Sequence, residues 1–417
     1  MNILIVTQYF WPENFRINDL ALGLKERGHK VEVLTGIPNY PEGTLFRGYR
    51  FLNRMRDNSN GINIVRAPLI PRGIGSRSLL ALNFISFAVS ASILGPILCK
   101  GPFDIIIVYE PSPITVGLPA LVLKLIKSAP VMFWMQDLWP ESLSATGAVR
   151  SKRILKLVES MVRFIYKGCD RILIQSRAFL DPIKRLGGDP KRVLYFPNTS
   201  EKMYKPVTVE KKASERASLP IGFLVTFAGN IGAAQDFDTI LAAAEYFKNH
   251  KNIKLVILGD GRMFQWVQDQ VRVRDLENTV HLLGRHPAKA MPRYFSLSDA
   301  LLVTLRKEPI FALTIPSKVQ SYLACGKPII AALDGEGARV VEDAGAGVIC
   351  PTEDPKALAD AILKLYNMPA KDREEMGRNG RRYYEKKFER EMLLDRFEGW
   401  MRELVSQKNT TTLLKEV

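Results

Sequence analysis

The residues best suited to chemistry in this 417-residue chain lie in short clusters, each placed where an apolar run ends. Phe227-Ala228-Gly229-Asn230-Ile231-Gly232 is followed within a few residues by a helical pattern. Glycines there let backbone approach a ligand, and a helix N-terminus favours an anion. The same residues also suit a tight strand-to-helix turn with no ligand. Gly259-Asp260-Gly261 repeats the arrangement one unit later, with the same two readings, and the recurrence favours a phosphate-binding face. In Ile315-Pro316-Ser317-Lys318, Pro316 stops one segment and Ser317 is read as the cap of the next helix. Lys318 then falls in a first helical turn, where the dipole disfavours a cation unless an anionic ligand is present. A solvated surface lysine is the alternative. In Gly335-Glu336-Gly337 the carboxylate suits sugar hydroxyls, or simply the start of a helix.

The first half of the chain offers a different chemistry. Gln136, Asp137 and Glu141 stand among Trp134, Leu138 and Trp139 just after an apolar run. Aromatic and polar groups so mixed suit carbohydrate faces and hydroxyls, and Asp137 or Glu141 is placed to act as a base or to orient a hydroxyl. A loop packed by its tryptophans, with Asp137 capping a turn, is the plainer reading. His29, His250, His281 and His286 have no metal spacing, and neither half carries GxGxxG, which argues against a NAD-dependent dehydrogenase.

The elements that must hold these clusters alternate strand and helix. Strands are expected at 2–7, 31–34, 104–108, 131–134, 171–175 and 193–196, with helices at 17–27, 114–127, 152–166 and 179–186. Gly28 suits a helix C-terminus. After a proline-bearing junction at 197–220 the alternation restarts. Strands read at 223–228, 254–258, 280–282, 300–305 and 328–332, and helices at 237–249, 263–274, 317–324, 338–344 and 355–366. A last helical region runs from about 371 to 405, and the end from Lys408 reads as disordered. Ile/Val-rich strands separated by helices imply parallel sheets covered on both faces. The fold class is therefore α/β, two Rossmann-like domains in series, with ligands expected at the C-terminal ends of the strands.

Charge is uneven. The net charge is +16. Residues 1–200 hold 26 Lys and Arg against 14 Asp and Glu, so +12, which leaves +4 for the rest. The basic half calls for an acidic partner, with anionic lipid and nucleic acid as candidates and simple solubility as the plain reading. Arg47, Arg50, Arg54, Arg56, Arg66, Arg72 and Arg77 precede a run without charge, Ser78–Cys99. With Asn83, four serines and Pro96 inside it, that run reads first as a buried helix at 79–98, with an interfacial helix or a membrane span as alternatives. Cys99, Cys169, Cys325 and Cys350 show no CxxC spacing and read as reduced, mostly buried thiols. The N-terminus reads as a strand, not a signal peptide.

Taken together, these stretches resemble glycosyltransferase family 4 of the GT-B fold, and within it the WbuB-like polysaccharide-assembly glycosyltransferases. The resemblance spans nearly the whole chain. It rests on TQYFWPE at 7–13, LKERGHKVEVLTGIPNYPEG at 24–43, QDLWPES at 136–142, FAGNIGAAQDFDTIL at 227–241, LGDG at 258–261 and IPSKVQSYLACGKPIIAALDGEGARVVEDAGAG at 315–347. It implies an acceptor domain at 1–200, a nucleotide-sugar domain at 201–385 facing it across a central cleft, and a helix at 386–417 returning to the first domain. The donor would meet Gly229, Asn230, Gly232, Gln235, Gly259, Gly261, Arg285, Ser317, Lys318, Ser321, Glu336 and Gly337. The acceptor side would hold Glu13, Asn14, Arg16 and Gln136, with Asp137 and Glu141 at the chemistry. The chain departs from the common pattern in several places. Asn230 and Gln235 stand where most members carry Arg and Lys on the diphosphate, and Leu313 and Ser321 replace a pair of Glu. Gln136 replaces a His, and a glycine pair is missing near Asn14 and Phe15.

The resemblance implies retaining transfer of a sugar, an N-acetylated deoxyhexose such as N-acetylfucosamine, from a UDP-sugar to a polyprenyl-diphosphate-linked saccharide in O-antigen or capsule assembly. No cofactor or metal is expected, with Lys318 and Arg285 offsetting the diphosphate charge. The protein is expected in the cytoplasm, on the anionic inner face of the cell membrane, without nucleic acid. A GT-B-shaped nucleotide-sugar epimerase and a non-catalytic membrane-surface protein are the alternatives.

Overall fold

The computed structural model describes residues 1–50, 55–145, 149 and 151–416, so Arg54 lies outside the described residues. The chain divides into two compact units, one of residues 1–196 with 393–417, the other of residues 197–392. The divisions thus fall a few residues from the 200 and 385 expected.

The first unit is built on β1 (Asn2–Val6), β2 (Lys30–Gly36), β3 (Arg56–Ser59) and β4 (Ile62–Ala67), followed by β5 (Ile105–Glu110), β6 (Val131–Met135), β7 (Arg171–Ile174) and β8 (Val193–Tyr195). They form one sheet in the order β3-β4-β2-β1-β5-β6-β7-β8. Every residue of β5 and β6 is buried, as strands covered on both faces must be. The sheet is not wholly parallel. β3 pairs antiparallel with β4 in a hairpin the sequence reading missed, although Asn60-Gly61, both at positive φ, is the dipeptide that favours such a turn.

In the second unit β9 (Phe223–Ala228), β10 (Ile253–Leu258), β11 (Val280–Gly284), β12 (Ala300–Thr304), β13 (Ile329–Ala332) and β14 (Gly347–Cys350) run parallel in the order β11-β10-β9-β12-β13-β14. β14 was not expected. Core lies on both faces: Phe227 meets Phe237 edge-on on one side, and Phe295 meets Tyr322 on the other. The stretch read as the junction between domains packs on this unit. Ser296 Oγ donates to Val207 O at 2.5 Å, and Arg293 grips Glu215 at 2.6 and 3.1 Å.

Two helical expectations change. Residues 371–405 are not one region: helices Ala370–Lys387 and Arg390–Glu416 are separate, and the second continues through the tail read as disordered, no glycine or proline following Gly399 to stop it. The uncharged run forms helix Arg77–Leu98, capped by Ser76, but it is not buried: only Asn83, Phe87, Ala88, Ala91 and Gly95 are inside. All four cysteines are buried.

Residues 393 onward belong to the first unit through charge and ring contacts. His29 Nε2 and Arg27 meet Glu398 at 2.6 and 2.7 Å, Arg171 meets Glu403 at 2.9 Å, and Phe196 packs on Phe397 and Trp400. Burial raises the Glu398 carboxyl, but the hydrogen bonds from His29 and Arg27 outweigh it and hold it below the ordinary carboxylate range. Glu398→Ala leaves His29 and Arg27 without their shared acceptor. It is expected to lower unfolding stability by about 2–3 kcal/mol, read by urea denaturation, with unchanged stability counting against this anchor.

Candidate functional site

In each sheet the strand order reverses direction once, between β1 and β5 in the first unit and between β9 and β12 in the second. Loops leaving two such neighbours at their C-terminal ends diverge and leave a crevice, the usual ligand position of open α/β sheets.

In the second unit this crevice is floored by the loop after β9. Gly229 has φ +145°, and a Cβ there would stand 2.6 Å from Lys318 Cε, so only glycine lets the lysine lie over this turn. Gly259 has φ +155°, and its Cβ would meet Gly229 O at 1.8 Å. The two glycine loops are thus pressed together backbone to backbone. Gly229 N donates to Leu258 O and Ile231 N to Asp260 O, both at 2.9 Å. The Gly229 amide expected on a ligand is therefore committed to the neighbouring strand. Gly232 and Gly261 flank the Asn230 side chain, each with its Cβ position 2.6 Å from an Asn230 amide atom.

Lys318 enters from helix Ser317–Cys325. Its Nζ donates to Gln235 Oε1 and sits 4.5 Å from the centre of the Phe227 ring. Among the described residues no carboxylate pairs with it, and burial alone lowers its pKa to about 8. Lys318 is half-buried and bonded to Gln235 rather than freely solvated on the surface. A partly desolvated cation beside a turn of close-packed backbone, in the first turn of a helix, suits an anion. Ser317 is not the expected cap: the helix begins on it, Pro316 precedes it, and no side chain caps the turn. Ser321 Oγ donates to Ser317 O at 3.2 Å. Glu336 is held by both arms of Arg339, at 2.9 and 2.7 Å, so it is ion-paired rather than free, and Gly337 brings its helix onto Pro316. Arg285 stands exposed directly after β11.

The first unit gathers carboxyls. Glu110 closes β5 fully buried, its Oε2 accepting the Asp137 amide at 3.4 Å while its Oε1 has no partner among the described residues. Burial, then the neighbouring Asp137 charge, raises its pKa well above the ordinary value. Asp137 accepts from Ser142 Oγ, and burial raises its pKa despite that bond. Asp137 and Glu141 do not stand alike. Glu141 opens a short helix, Glu141–Ala145, and Arg185 reaches its Oε1 at 3.3 Å. Glu13, in the loop after β1, is buried and takes the amides of Asn39 and Tyr40 on Oε1, each at 2.8 Å. Burial outweighs these bonds and pushes its pKa up to about 7. Arg16 lies beside the Tyr109 hydroxyl, Gln136 donates to Met135 O and has its own carbonyl taken by Gln175, and Asn14 is exposed. Sequence reasoning missed Glu110. Its only signal was a carboxylate at the end of an otherwise apolar run.

With this geometry in hand, family comparison is decisive. Residues 14–199 match a family described as Glycosyl transferase 4-like domain, and residues 211–383 match Glycosyl transferases group 1. The chain belongs to these glycosyltransferases, and its two parallel-sheet domains are those of the GT-B fold. Among relatives, it is similar to WbjE of Pseudomonas aeruginosa, named as a probable glycosyltransferase, at 29% identity over 66% of this chain and 68% of that one. It is similar too to WcaI of Escherichia coli K12, named as a putative colanic acid biosynthesis glycosyl transferase, at 24% identity over 78% and 82%. Among solved structures, Anabaena HepE in complex with UDP and glucose shares the fold, with a TM-score of 0.69 at 15% identity over 97% and 100% of the two chains.

Lys318→Met removes a desolvated charge and keeps the volume. It is expected to stabilise the unliganded protein at pH 7 by on the order of 1–3 kcal/mol. The sign follows from the lowered pKa. Between about 8 and the unfolded-state lysine value the unfolded chain binds more protons, so the cost of the charge fades as pH rises through that window. Urea denaturation of both proteins at pH 7 and pH 9.5 should show the gap shrinking, and a destabilised variant at pH 7 would contradict the reading.

Proposed function

We propose that the protein transfers a sugar from a UDP-sugar, bound on the second unit, to a polyprenyl-diphosphate-linked saccharide held by the first, in the assembly of a cell-surface polysaccharide such as O-antigen or capsule. One observation carries this: Lys318, half-buried and without a carboxylate partner among the described residues, poised over the Gly229 turn. A nucleoside diphosphate supplies the missing negative charge, and on transfer the same lysine offsets the charge that builds on the departing UDP. Transfer then needs no metal, and no cofactor enters. The polysaccharide setting is supported by the name of WcaI, and the choice of UDP by the UDP held by HepE. The donor sugar carried over from the family resemblance is an N-acetylated deoxyhexose such as N-acetylfucosamine, transferred with retention. The acceptor's diphosphate lies at a bilayer surface, which supports a cytoplasmic protein held at the anionic inner face of the membrane by its basic first unit.

Binding of UDP to the full chain, measured by calorimetry with EDTA present, tests the donor assignment. Lys318 binds the anion only when protonated. Affinity is therefore expected to be constant up to pH 7.5 and to fall about tenfold by pH 9 as the free-state pKa near 8 is crossed. Lys318→Arg, which stays charged, should flatten that profile. A panel of nucleotides with no binding at all, or a wild-type profile that stays flat, would remove the basis of the proposal.

In the first unit Asp137 is the stronger base candidate. Its raised pKa makes it more basic than a solvated carboxylate, whereas Glu141 is engaged by Arg185. Asp137→Asn is expected to lower kcat by roughly 10²–10⁴ with UDP affinity unchanged, and Glu141→Gln by much less. Equal rates in both variants and the parent would leave neither in that role.

A further inference from the structure

Helix Arg77–Leu98 is turned inside out. Three of its hydrogen-bonding side chains face the protein: Asn83 Nδ2 donates to Ile70 O at 2.6 Å, Ser86 Oγ accepts from Ile70 N at 2.9 Å, and Ser90 Oγ donates to Pro68 O at 2.5 Å. Its outward face is apolar. Leu79, Leu82, Ile85, Val89, Ile93 and Ile97, spaced three or four residues apart, are between 39% and 63% exposed. The helix packs beside helix Gly117–Lys127, which packs beside helix Lys152–Gly168. Both neighbours expose apolar side chains as well: Leu125 is 81% exposed, Leu157 71% and Phe164 61%. A monomer in water rarely leaves so much apolar side-chain surface uncovered.

The surface has a cationic border. Arg77 and Lys100 stand at the two ends of the first helix, and Lys152, Arg153 and Lys156 are exposed in the first turns of the third. A second copy of this chain would bring that border against itself, like charge against like. An anionic lipid surface meets both features at once, taking the apolar side chains among its acyl chains and the basic ones among its headgroups.

We propose that the first unit inserts this three-helix face shallowly into an anionic membrane leaflet. The proposal rests on the lipid-linked acceptor of the preceding reading, and replaces attachment by charge alone with attachment by apolar insertion. Crossing the bilayer is not required and is opposed by the helix's inner side. Asn83, bonded also by Gln8 Nε2 at 2.6 Å, would have to leave its partners. The same contacts give the insertion a use. Asn83 reaches Asn39 Oδ1 at 3.3 Å, and Asn39 N is held by Glu13, so the first turns of the inserted helix carry the loops after β1 and β2. Those loops are thereby held at the depth where an acceptor's diphosphate lies.

The test is flotation of the full chain with vesicles of phosphatidylglycerol and phosphatidylethanolamine, at 0.1 and about 1 M NaCl, where the screening length falls to roughly 3 Å. The wild type is expected to stay bound at both. Val89→Glu with Ile93→Glu, and separately Leu157→Glu, should reduce the bound fraction at least tenfold while UDP affinity stays within twofold. Val89→Cys carrying an environment-sensitive dye, selective because all four native cysteines are buried, should shift to the blue on vesicles. Release of the wild type by salt, variants that float like the parent, or a wild-type dimer that the Val89/Ile93 variant splits would each overturn the proposal. A wild type that binds UDP but does not float sinks this surface alone, and a wild type that floats but does not bind UDP sinks the donor reading instead.

Discussion

Parallel strand pairing leaves a chain little freedom about where its loops go. Each strand must be re-entered from the same end, so every loop that follows a strand gathers along one edge of the sheet, and crossover helices cover both faces. Apart from the β3–β4 hairpin, both sheets obey this rule. Lys318, the Gly229 turn, Glu110, Asp137 and Glu13 all follow from it, since each stands at or just beyond the C-terminal end of a strand or in the helix that such a loop opens. Without the parallel register, residues so distant in sequence as Phe227 and Lys318 would have no reason to touch.

The two units use desolvation to opposite ends. In the second, burial weakens the hold of Lys318 on its proton, a cost that an incoming anion would relieve. In the first, burial strengthens the hold of Glu13, Glu110 and Asp137 on theirs. Carboxyls with raised proton affinity suit a site that meets hydroxyl groups, where a proton must be accepted or a hydrogen bond offered. Their partners differ too: Asp137 has Ser142 and Glu141 has Arg185, while one oxygen each of Glu110 and Glu141 has no partner among the described residues.

What was legible in the sequence was what local chemistry punctuates. Glycine and proline marked the turns after β9 and β10 and the start of the Lys318 helix, and the apolar runs of β1, β5 and β9 announced themselves. Partnership was not legible. Nothing in the spacing of Glu336 and Arg339 distinguishes a helix-start carboxylate awaiting a sugar from one already gripped three residues on. Glu110 was hidden because a polar residue ending an apolar strand looks like the first residue of a loop. The exposure of helix Arg77–Leu98 was hidden for another reason. Periodicity reveals which face is buried only when the other face is polar, and here the polar side chains point inward.

The margins of the first sheet bear on how many molecules tolerate one another's company. One margin is β3, four residues long with Arg56, Asp57 and Asn58 in it; the other is β8, of three residues. An unpaired strand is a template on which a neighbour can add its own, and short or charged margins are poor templates. Proteins gathered on a leaflet meet far more often than in bulk water, and with a common orientation that aligns like margins. On the membrane proposed above, a blunt, charged β3 would keep such encounters from growing into a shared sheet.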